Sequence, residues 1–154
     1  MAYVIDYLQG RGAAFTVVPR RATEASPNAA IPDELVARTV VVMASSGPAL
    51  MVIPAVRELD LELAREAVGD PQARLATDAE LERQFPDYEP GALPPLAMML
   101  LAPTYVDPVV AEGEEIAFAA GRLDVSIRMA TRDVFGNDPI VIRPLTGQLA
   151  APAS

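Results

Sequence analysis

The residues of this chain that could perform chemistry are arginines, carboxylates, hydroxyls and backbone amides. The sequence contains no histidine and no cysteine, and all 12 of its basic residues are arginine. This composition excludes histidine-based acid–base pairs, Ser-His-Asp triads, thiol nucleophiles, Schiff-base lysines and the lysine of phosphate-binding loops. It also excludes imidazole and thiolate metal sites, and we expect neither a metal nor another cofactor. Any catalysis must therefore use the groups that remain.

The loop of residues 85–95 is the stretch whose spacing is most suggestive of a site, because four prolines bracket Gly91 there. Each proline fixes its own φ and favours extended geometry in the residue before it, whereas glycine can adopt positive φ. The N–H groups of Gly91, Ala92 and Leu93 lie between these fixed points. Fixed N–H donors can stabilise charge that develops on a carbonyl oxygen. The alternative is a tight connection between a helix and a strand, which an isolated Pro/Gly cluster usually forms.

Length and charge limit the class of protein. A chain of 154 residues suits one domain with a single core. The formal charge of −9 argues against a broad nucleic-acid surface and leaves open a local pocket lined by arginine. The uncharged run 39–56 is split by Ser45-Ser46-Gly47-Pro48, so it predicts two strands rather than a membrane span. With no cysteine and no apolar leader at the N-terminus, we expect a cytoplasmic protein that binds neither membrane nor DNA.

Apolar periodicity predicts the elements that must position these groups. Helices are predicted at residues 2–10, 60–68 and 77–85, and short helical turns at 32–37, after Asp107 and at 131–135. Strands are predicted at 15–19, 38–44, 49–54, 74–76, 96–101, 104–106, 115–120, 124–129 and 140–142. In the last hairpin we expect Val125, Ile127 and Met129 to face inward, and Ser126 and Arg128 outward. The pattern indicates an α+β domain with a mixed, mostly antiparallel sheet over residues 1–146, followed by a flexible tail at 147–154.

The order of these features resembles a known family. The chain carries an Ala-Arg-Thr-Val-Val-Val strand, an Asp-Leu helix, a Thr-x-x-Glu helix, the loop Phe-Pro-Asp-x-Glu-Pro-Gly-Ala-x-Pro-Pro, a Val-Asp pair, and an Ala-Gly pair before the final hairpin. Over about residues 1–145 it resembles the YbaK/ProX family of aminoacyl-tRNA editing domains, and the loop is the most specific part. The resemblance implies a barrel-like β-sheet flanked by short helices. It also implies hydrolysis of the ester that joins a wrong amino acid to the 3′ end of tRNA.

The resemblance further implies a set of site residues. Residues 91–94 match the family's Gly-x-x-Pro motif, which encloses the aminoacyl group. The catalytic candidates are Arg38, Gly91 and Ala92, and the substrate-binding candidates are Leu93, Pro94, Ser45, Asp107 and Gly121. Water activated by the terminal ribose hydroxyl of the substrate would attack the ester, as proposed for the family. The implied partner is the 3′ end of aminoacyl-tRNA, and the resemblance also allows an aminoacyl-tRNA synthetase as a partner.

Several of these residues have an ordinary structural interpretation. Asp107 precedes Pro108 and is equally typical of a helix cap. Ser45 lies in a Ser-Ser-Gly-Pro sequence that favours a turn, although Ser45, Ser46 and Ser126 could also bind the ribose or the amino group. The adjacent pair Arg20 and Arg21 could contact the acceptor stem, although paired arginines after a strand usually face solvent.

Three positions depart from the family pattern. Arg38 stands where the family carries lysine, Ala97 where it carries glycine, and Tyr88 where it carries cysteine. Arginine can hold a phosphate bidentately but cannot replace an ammonium group whose pKa must be adjusted. Three functions therefore stay open: a free-standing deacylase, a family member that binds without hydrolysis, and a protein that hydrolyses or binds another small ester or amino-acid derivative.

Overall fold

Two β-sheets and six short helices make up the part of the chain that the computed structural model describes, which is residues 2–19, 31–136 and 138–147. The helices are α1 (Ala2–Gly10), α2 (Leu61–Val68), α3 (Asp78–Gln84), α4 (Ala97–Leu100), α5 (Pro108–Ala111) and α6 (Thr131–Phe135). The strands are β1 (Phe15–Pro19), β2 (Ala37–Ala44), β3 (Gly47–Pro54), β4 (Arg74–Leu75), β5 (Thr104–Val106), β6 (Glu115–Ala119), β7 (Val125–Ala130) and β8 (Ile140–Ile142). Arg20, Arg21 and residues 148–154 of the expected tail lie outside the described residues.

The larger sheet has the order β4-β2-β3-β5-β8. Strands β2 and β3 form the antiparallel hairpin that the sequence predicts. Strand β3 begins two residues earlier than expected, because Ala44 pairs with Gly47 and the turn contains only Ser45 and Ser46. Strands β5 and β8 add in parallel beside β3. Because β3 is covered on both faces, its residues 49–54 are all buried. The uncharged run 39–56 is thus a hairpin, and among the described residues no helix is long and apolar enough to cross a membrane.

The smaller sheet has the order β1-β7-β6 and is antiparallel throughout. It packs with α1 around a core that contains Phe118, Ile127, Val4 and Leu8. A parallel bridge between Val36 and Ala117 joins the two sheets. The α+β class, with a mixed and mostly antiparallel sheet arrangement flanked by short helices, is therefore confirmed.

The hydrogen bonds that begin α3 fix the chain just before the proline-rich loop. Thr77 Oγ1 accepts from the Glu80 N–H at 3.2 Å, and Glu80 Oε1 accepts from the Thr77 N–H at 2.9 Å, which is the capping box that the sequence predicts. Arg74 donates to both Glu80 carboxylate oxygens at 2.7 Å. The bonds from Arg74 and from the Thr77 backbone lower the pKa of Glu80 from 4.5 to about 2.

A pH titration of stability tests this cap. Because the pKa of Glu80 is lower in the folded state, ionised Glu80 stabilises the fold above about pH 4.5, and this contribution is lost as the pH falls towards about 2. We expect Glu80→Gln to lower the melting temperature at neutral pH, with the difference from wild type narrowing over that interval in thermal unfolding followed by circular dichroism. Glu82→Gln, at an exposed position on the same helix, should show no such narrowing. If the difference in melting temperature between wild type and Glu80→Gln does not change with pH, the lowered pKa of Glu80 is contradicted.

The predicted strand at residues 96–101 is wrong. The chain forms helix α4 there, and Leu101 ends it in the left-handed region at φ 55°. A short, wholly apolar run does not distinguish strand from helix, and the sequence Ala-Met-Met-Leu consists of good helix formers. Leu96, Ala97 and Leu100 are buried whereas Met98 and Leu101 are exposed, which is a helical pattern.

Two smaller predictions are also wrong. Ser126 does not face outward but is buried, because β7 is the middle strand of its sheet and Ser126 lies between Val18 and Ala119 on the neighbouring strands. The predicted helical turn that was to reach Ala37 is a 3-10 turn at Asp33–Leu35, since Ala37 already belongs to β2.

Candidate functional site

The proline-rich loop contains a tight turn at residues 89–92. The Ala92 N–H donates to the Glu89 carbonyl at 2.9 Å, with Pro90 and Gly91 as the two central residues. Gly91 has φ +88°, which together with proline before it is typical of a type II turn. This turn requires a residue that tolerates positive φ at its third position, so glycine has a conformational reason to be there.

Gly121 fastens this loop to the turn between β6 and β7. Its N–H donates to the Ala92 carbonyl at 2.9 Å, and its carbonyl accepts from the Glu89 N–H at 2.9 Å. The Glu89 side chain also accepts from the Leu123 N–H at 3.3 Å. Backbone pairs at both ends of the 89–92 turn therefore fix the position of Gly91.

Not every amide of the loop is available to a ligand. The Ala92 N–H, expected to be a free donor, is committed to the turn, and Ala92 is fully buried. The N–H groups of Gly91 and Leu93 have no acceptor among the described residues. Of the three amides at residues 91–93, those of Gly91 and Leu93 are therefore unused, and Gly91 is a solvent-exposed residue.

A cleft of about 280 Å³ lies between β2 and this loop. It forms because β4 pairs only with Val42 and Met43, which leaves the preceding part of β2 open at its edge. Strand β2, the segment from β4 to α3, and the loop all contribute to its walls, which include Arg38, Thr39, Leu75, Asp78, Gly91 and Leu93. The structure thus brings together three of the residues that the sequence singles out, which are Arg38, Gly91 and Leu93.

The Arg38 guanidinium group is anchored at one side of the cleft by the segment after β3. Its Nη2 donates to the Arg57 carbonyl at 3.1 Å and lies 3.6 Å from Glu58 Oε2. The Glu58 side chain is 96 % exposed, so this ion pair is weak. Arg38 Nε is buried and has no partner among the described residues. The guanidinium group therefore keeps donor capacity that the protein does not use.

Two polar residues of the cleft were not predicted from the sequence as site residues. Thr39 is 8 % exposed, and its Oγ1 is buried without a hydrogen-bond partner among the described residues. Asp78 is exposed at the start of α3, and no ion pair involves it in the described part of the chain. The signal for Thr39 was a polar residue next to Arg38 at the start of an otherwise apolar strand. For Asp78, the sequence indicated only a position within the capping box.

Besides Ala92 and Gly121, three other sequence candidates do not line the cleft. Pro94 is buried within the loop. Ser45 lies at the far end of β2, where its N–H donates to Asp70 Oδ2 at 2.7 Å. That bond and the one from the Gln72 N–H lower the pKa of Asp70 below its ordinary value. Ser45 therefore holds the β2–β3 turn against the segment after α2.

Asp107, the third such residue, is buried and fully used by the fold. Its Oδ1 accepts from the Val109 N–H at 2.9 Å, which caps α5. Its Oδ2 accepts from the N–H groups of Leu145 and Thr146 and from the Thr146 hydroxyl, all at 3.0–3.1 Å. The helix-cap alternative accounts for the bond from Val109, and the other three bonds hold the segment after β8 against the start of α5.

The chemistry that the cleft can support follows from these groups. Its lining residues carry a guanidinium group, two backbone amides without an acceptor among the described residues, a hydroxyl and a carboxylate. Such groups suit binding of an anion and polarisation of a carbonyl. Among the described residues no group of three or more potential ligands is arranged to hold a metal. The sequence has no thiol nucleophile and no imidazole base to activate a hydroxyl group, which favours a water molecule or a group of the ligand as the nucleophile.

Comparison with known proteins identifies one family. Residues 20–135 match the family model described as aminoacyl-tRNA editing domain. A comparison with curated proteins found no match.

Solved structures share the fold. A hypothetical protein is 20 % identical with a TM-score of 0.79 over 94 % of this chain and 99 % of its own. A candidate trans-editing enzyme for prolyl-tRNA synthetase is 22 % identical with a TM-score of 0.75 over 95 % and 96 % of the two chains. A protein from a study of epitope grafting onto scaffolds is 19 % identical with a TM-score of 0.78 over 95 % of both chains. At these identities the likeness establishes the architecture alone.

Proposed function

The chain belongs to the aminoacyl-tRNA editing domain family, and on that premise we propose that it is a free-standing deacylase that hydrolyses the ester of mischarged tRNA. The observation that carries the proposal is that Arg38 and Gly91 line one cleft. The proposed substrate is the 3′ end of aminoacyl-tRNA, in the cytoplasm, and a synthetase could deliver it. No cofactor enters the proposal.

The proposed reaction is addition of water to the ester carbonyl carbon. The carbonyl oxygen gains negative charge and accepts hydrogen bonds from the free N–H groups of Gly91 and Leu93, which need no reorganisation because the turn is fixed. The carbon–oxygen bond to the ribose then breaks, and the ribose oxygen takes a proton that the water has lost, through the neighbouring ribose hydroxyl. The products are a free amino acid and uncharged tRNA.

Arg38 has the proposed role of holding the 3′-terminal phosphate. Arg38 lines the cleft, and its guanidinium group retains an unused donor at Nε. Bidentate guanidinium–phosphate pairs are short and strong, whereas the pair with exposed Glu58 is weak. A phosphate can therefore replace Glu58 at little cost while the bond to the Arg57 carbonyl keeps the side chain in place.

Thr39 and Asp78 have the proposed role of orienting the aminoacyl group. The Thr39 hydroxyl has no protein partner among the described residues, and a ligand that bonds to it would satisfy a buried polar atom. Asp78 lines the same cleft and carries the charge that an α-ammonium group requires. Both residues line the cleft that contains Gly91, which supports a shared role at one ligand.

Asp107 has the proposed role of supporting the fold rather than binding substrate. We expect Asp107→Asn to lower the free energy of unfolding by about 2 kcal/mol, because an amide cannot accept from all four donors and one buried N–H loses its partner. Urea unfolding measures this change. Activity per folded molecule should stay within about twofold of wild type. A variant that folds normally but loses activity would show that Asp107 acts at the substrate site.

A second candidate function is binding of aminoacyl-tRNA without turnover. Arg38 favours it, because arginine stands where the family carries lysine and its guanidinium group is hydrogen-bonded to the Arg57 carbonyl. A third candidate, action on another small ester or amino-acid derivative, is consistent with the net charge of −9.

Assays with a panel of mischarged tRNAs separate the three candidates. We expect amino-acid release above the spontaneous rate for at least one aminoacyl-tRNA. Saturable tRNA binding without release would favour the second candidate. Neither binding nor release across the panel would leave only the third and would overturn the proposed function.

A further inference from the structure

A second and larger cleft, of about 630 Å³, lies on another part of the molecule. It is bounded by the segment between α5 and β6, by α6 and by β8, and its walls include Glu114, Thr131, Arg132, Phe135, Ile140 and Ile142. None of these residues lines the cleft that contains Gly91. Its volume is within the range of about 300–1,000 Å³ that small-molecule sites occupy.

Thr131, which lines this cleft, carries an unsatisfied polar atom. The residue is 5 % exposed, and its Oγ1 is buried without a hydrogen-bond partner among the described residues. Its N–H donates to the Glu114 carbonyl at 3.0 Å, so the backbone that carries the hydroxyl is fixed. Buried hydroxyls are normally hydrogen-bonded. A ligand in the cleft would supply the missing partner.

The cleft also presents one cation and one anion, on Arg132 and Glu114. Both side chains are exposed, and in the described part of the chain neither forms an ion pair, either with each other or with a third residue. Charged groups that share a cleft without pairing can each bind the opposite charge of one ligand. The remaining wall is apolar, formed by Phe135, Ile140 and Ile142.

We propose that this cleft binds a free α-amino acid with an apolar side chain. Arg132 pairs with the ligand carboxylate, Glu114 with its ammonium group, and the Thr131 hydroxyl donates to the carboxylate. The apolar side chain of the ligand packs on Phe135 and Ile140. The inference depends on the residues of this cleft and not on the proposed hydrolysis. If both hold, the site binds the class of molecule that deacylation releases.

The test is a titration of the full ¹⁵N-labelled chain with L-leucine, followed by NMR. We expect saturable shifts of the Thr131 and Arg132 amides at concentrations up to about 10 mM, without matching shifts at Gly91. Arg132→Gln should weaken binding by about tenfold or more, because a hydrogen-bonded charge pair is lost. Thr131→Val should also weaken it and should fold normally, since Oγ1 has no protein partner to lose.

Ligand analogues and a matched variant complete the test. L-leucinamide, which lacks the carboxylate, and N-acetyl-L-leucine, which lacks the ammonium group, should each bind about tenfold more weakly than L-leucine or worse. Arg143→Gln removes an exposed arginine beyond β8 that does not line the cleft, and it should leave the affinity unchanged. Absence of saturable shifts, shifts confined to Gly91, or equal affinity for leucinamide would overturn the proposal. A negative result would leave the deacylase assays unaffected.

Discussion

Arg38→Ala should lower the rate of deacylation of mischarged tRNA by about 100-fold, which is typical for loss of a fixed electrostatic group. The side chain is 41 % exposed, and its bond to the Arg57 carbonyl is its one hydrogen bond within the described residues. Its removal should therefore change the melting temperature little. The loss of rate would come from the substrate phosphate, which would no longer have a cation beside the Gly91 loop.

Two variants make this prediction specific. Arg38→Lys restores the family residue and should maintain or raise turnover, because an ammonium group at the same position still binds phosphate. Arg143→Ala removes an equal charge at an exposed position outside the cleft and should leave the rate within about twofold of wild type. If Arg38→Lys abolishes the activity, or if Arg38→Ala has no effect, then Arg38 does not bind the phosphate.

Gly91→Ala should lower the same rate by about 100-fold through the backbone rather than through a steric clash. A Cβ at residue 91 would meet only Leu123 Cδ2 at 3.8 Å, which is an ordinary contact. The φ of +88° is instead costly for alanine, by about 1–2 kcal/mol. Relaxation of that strain would move the Gly91 and Leu93 N–H groups away from the ester oxygen.

Gly12→Ala is the matched control for backbone strain. Gly12 has φ +71°, and an added Cβ would have no atom within 4 Å, but the residue lies between α1 and β1 and does not line the cleft. Both variants should lose a similar amount of stability in urea unfolding, and only Gly91→Ala should lose activity. Equal activity of the two variants would show that the Gly91 loop does not position catalytic amides.

Local sequence signals predicted most of the elements that carry the site. The β2–β3 hairpin follows from two apolar runs around Ser45-Ser46-Gly47-Pro48, and α3 follows from Thr77 and Glu80 in a capping box. The positive φ at Gly91 follows from proline before glycine. These features depend on residues near in sequence, which is why the sequence was sufficient to predict them.

Features that depend on distant contacts were not predictable. The commitment of the Ala92 N–H to Glu89, and of its carbonyl to Gly121, became apparent only in the folded loop. Thr39 became a candidate because its hydroxyl is buried without a partner, which no pattern in β2 indicates. Helix α4 was predicted as a strand because packing, and not periodicity, decides the structure of so short an apolar run.

The central claim is that the cleft between β2 and the Gly91 loop receives the aminoacyl end of tRNA. A crystal structure with a 3′-aminoacyl analogue of adenosine 5′-monophosphate, in which an amide replaces the ester, provides a direct test. We expect the Gly91 nitrogen to lie about 2.7–3.1 Å from the acyl oxygen and the guanidinium group of Arg38 to contact the 5′-phosphate. An analogue bound with its acyl group elsewhere would show that this cleft does not receive the aminoacyl end of tRNA.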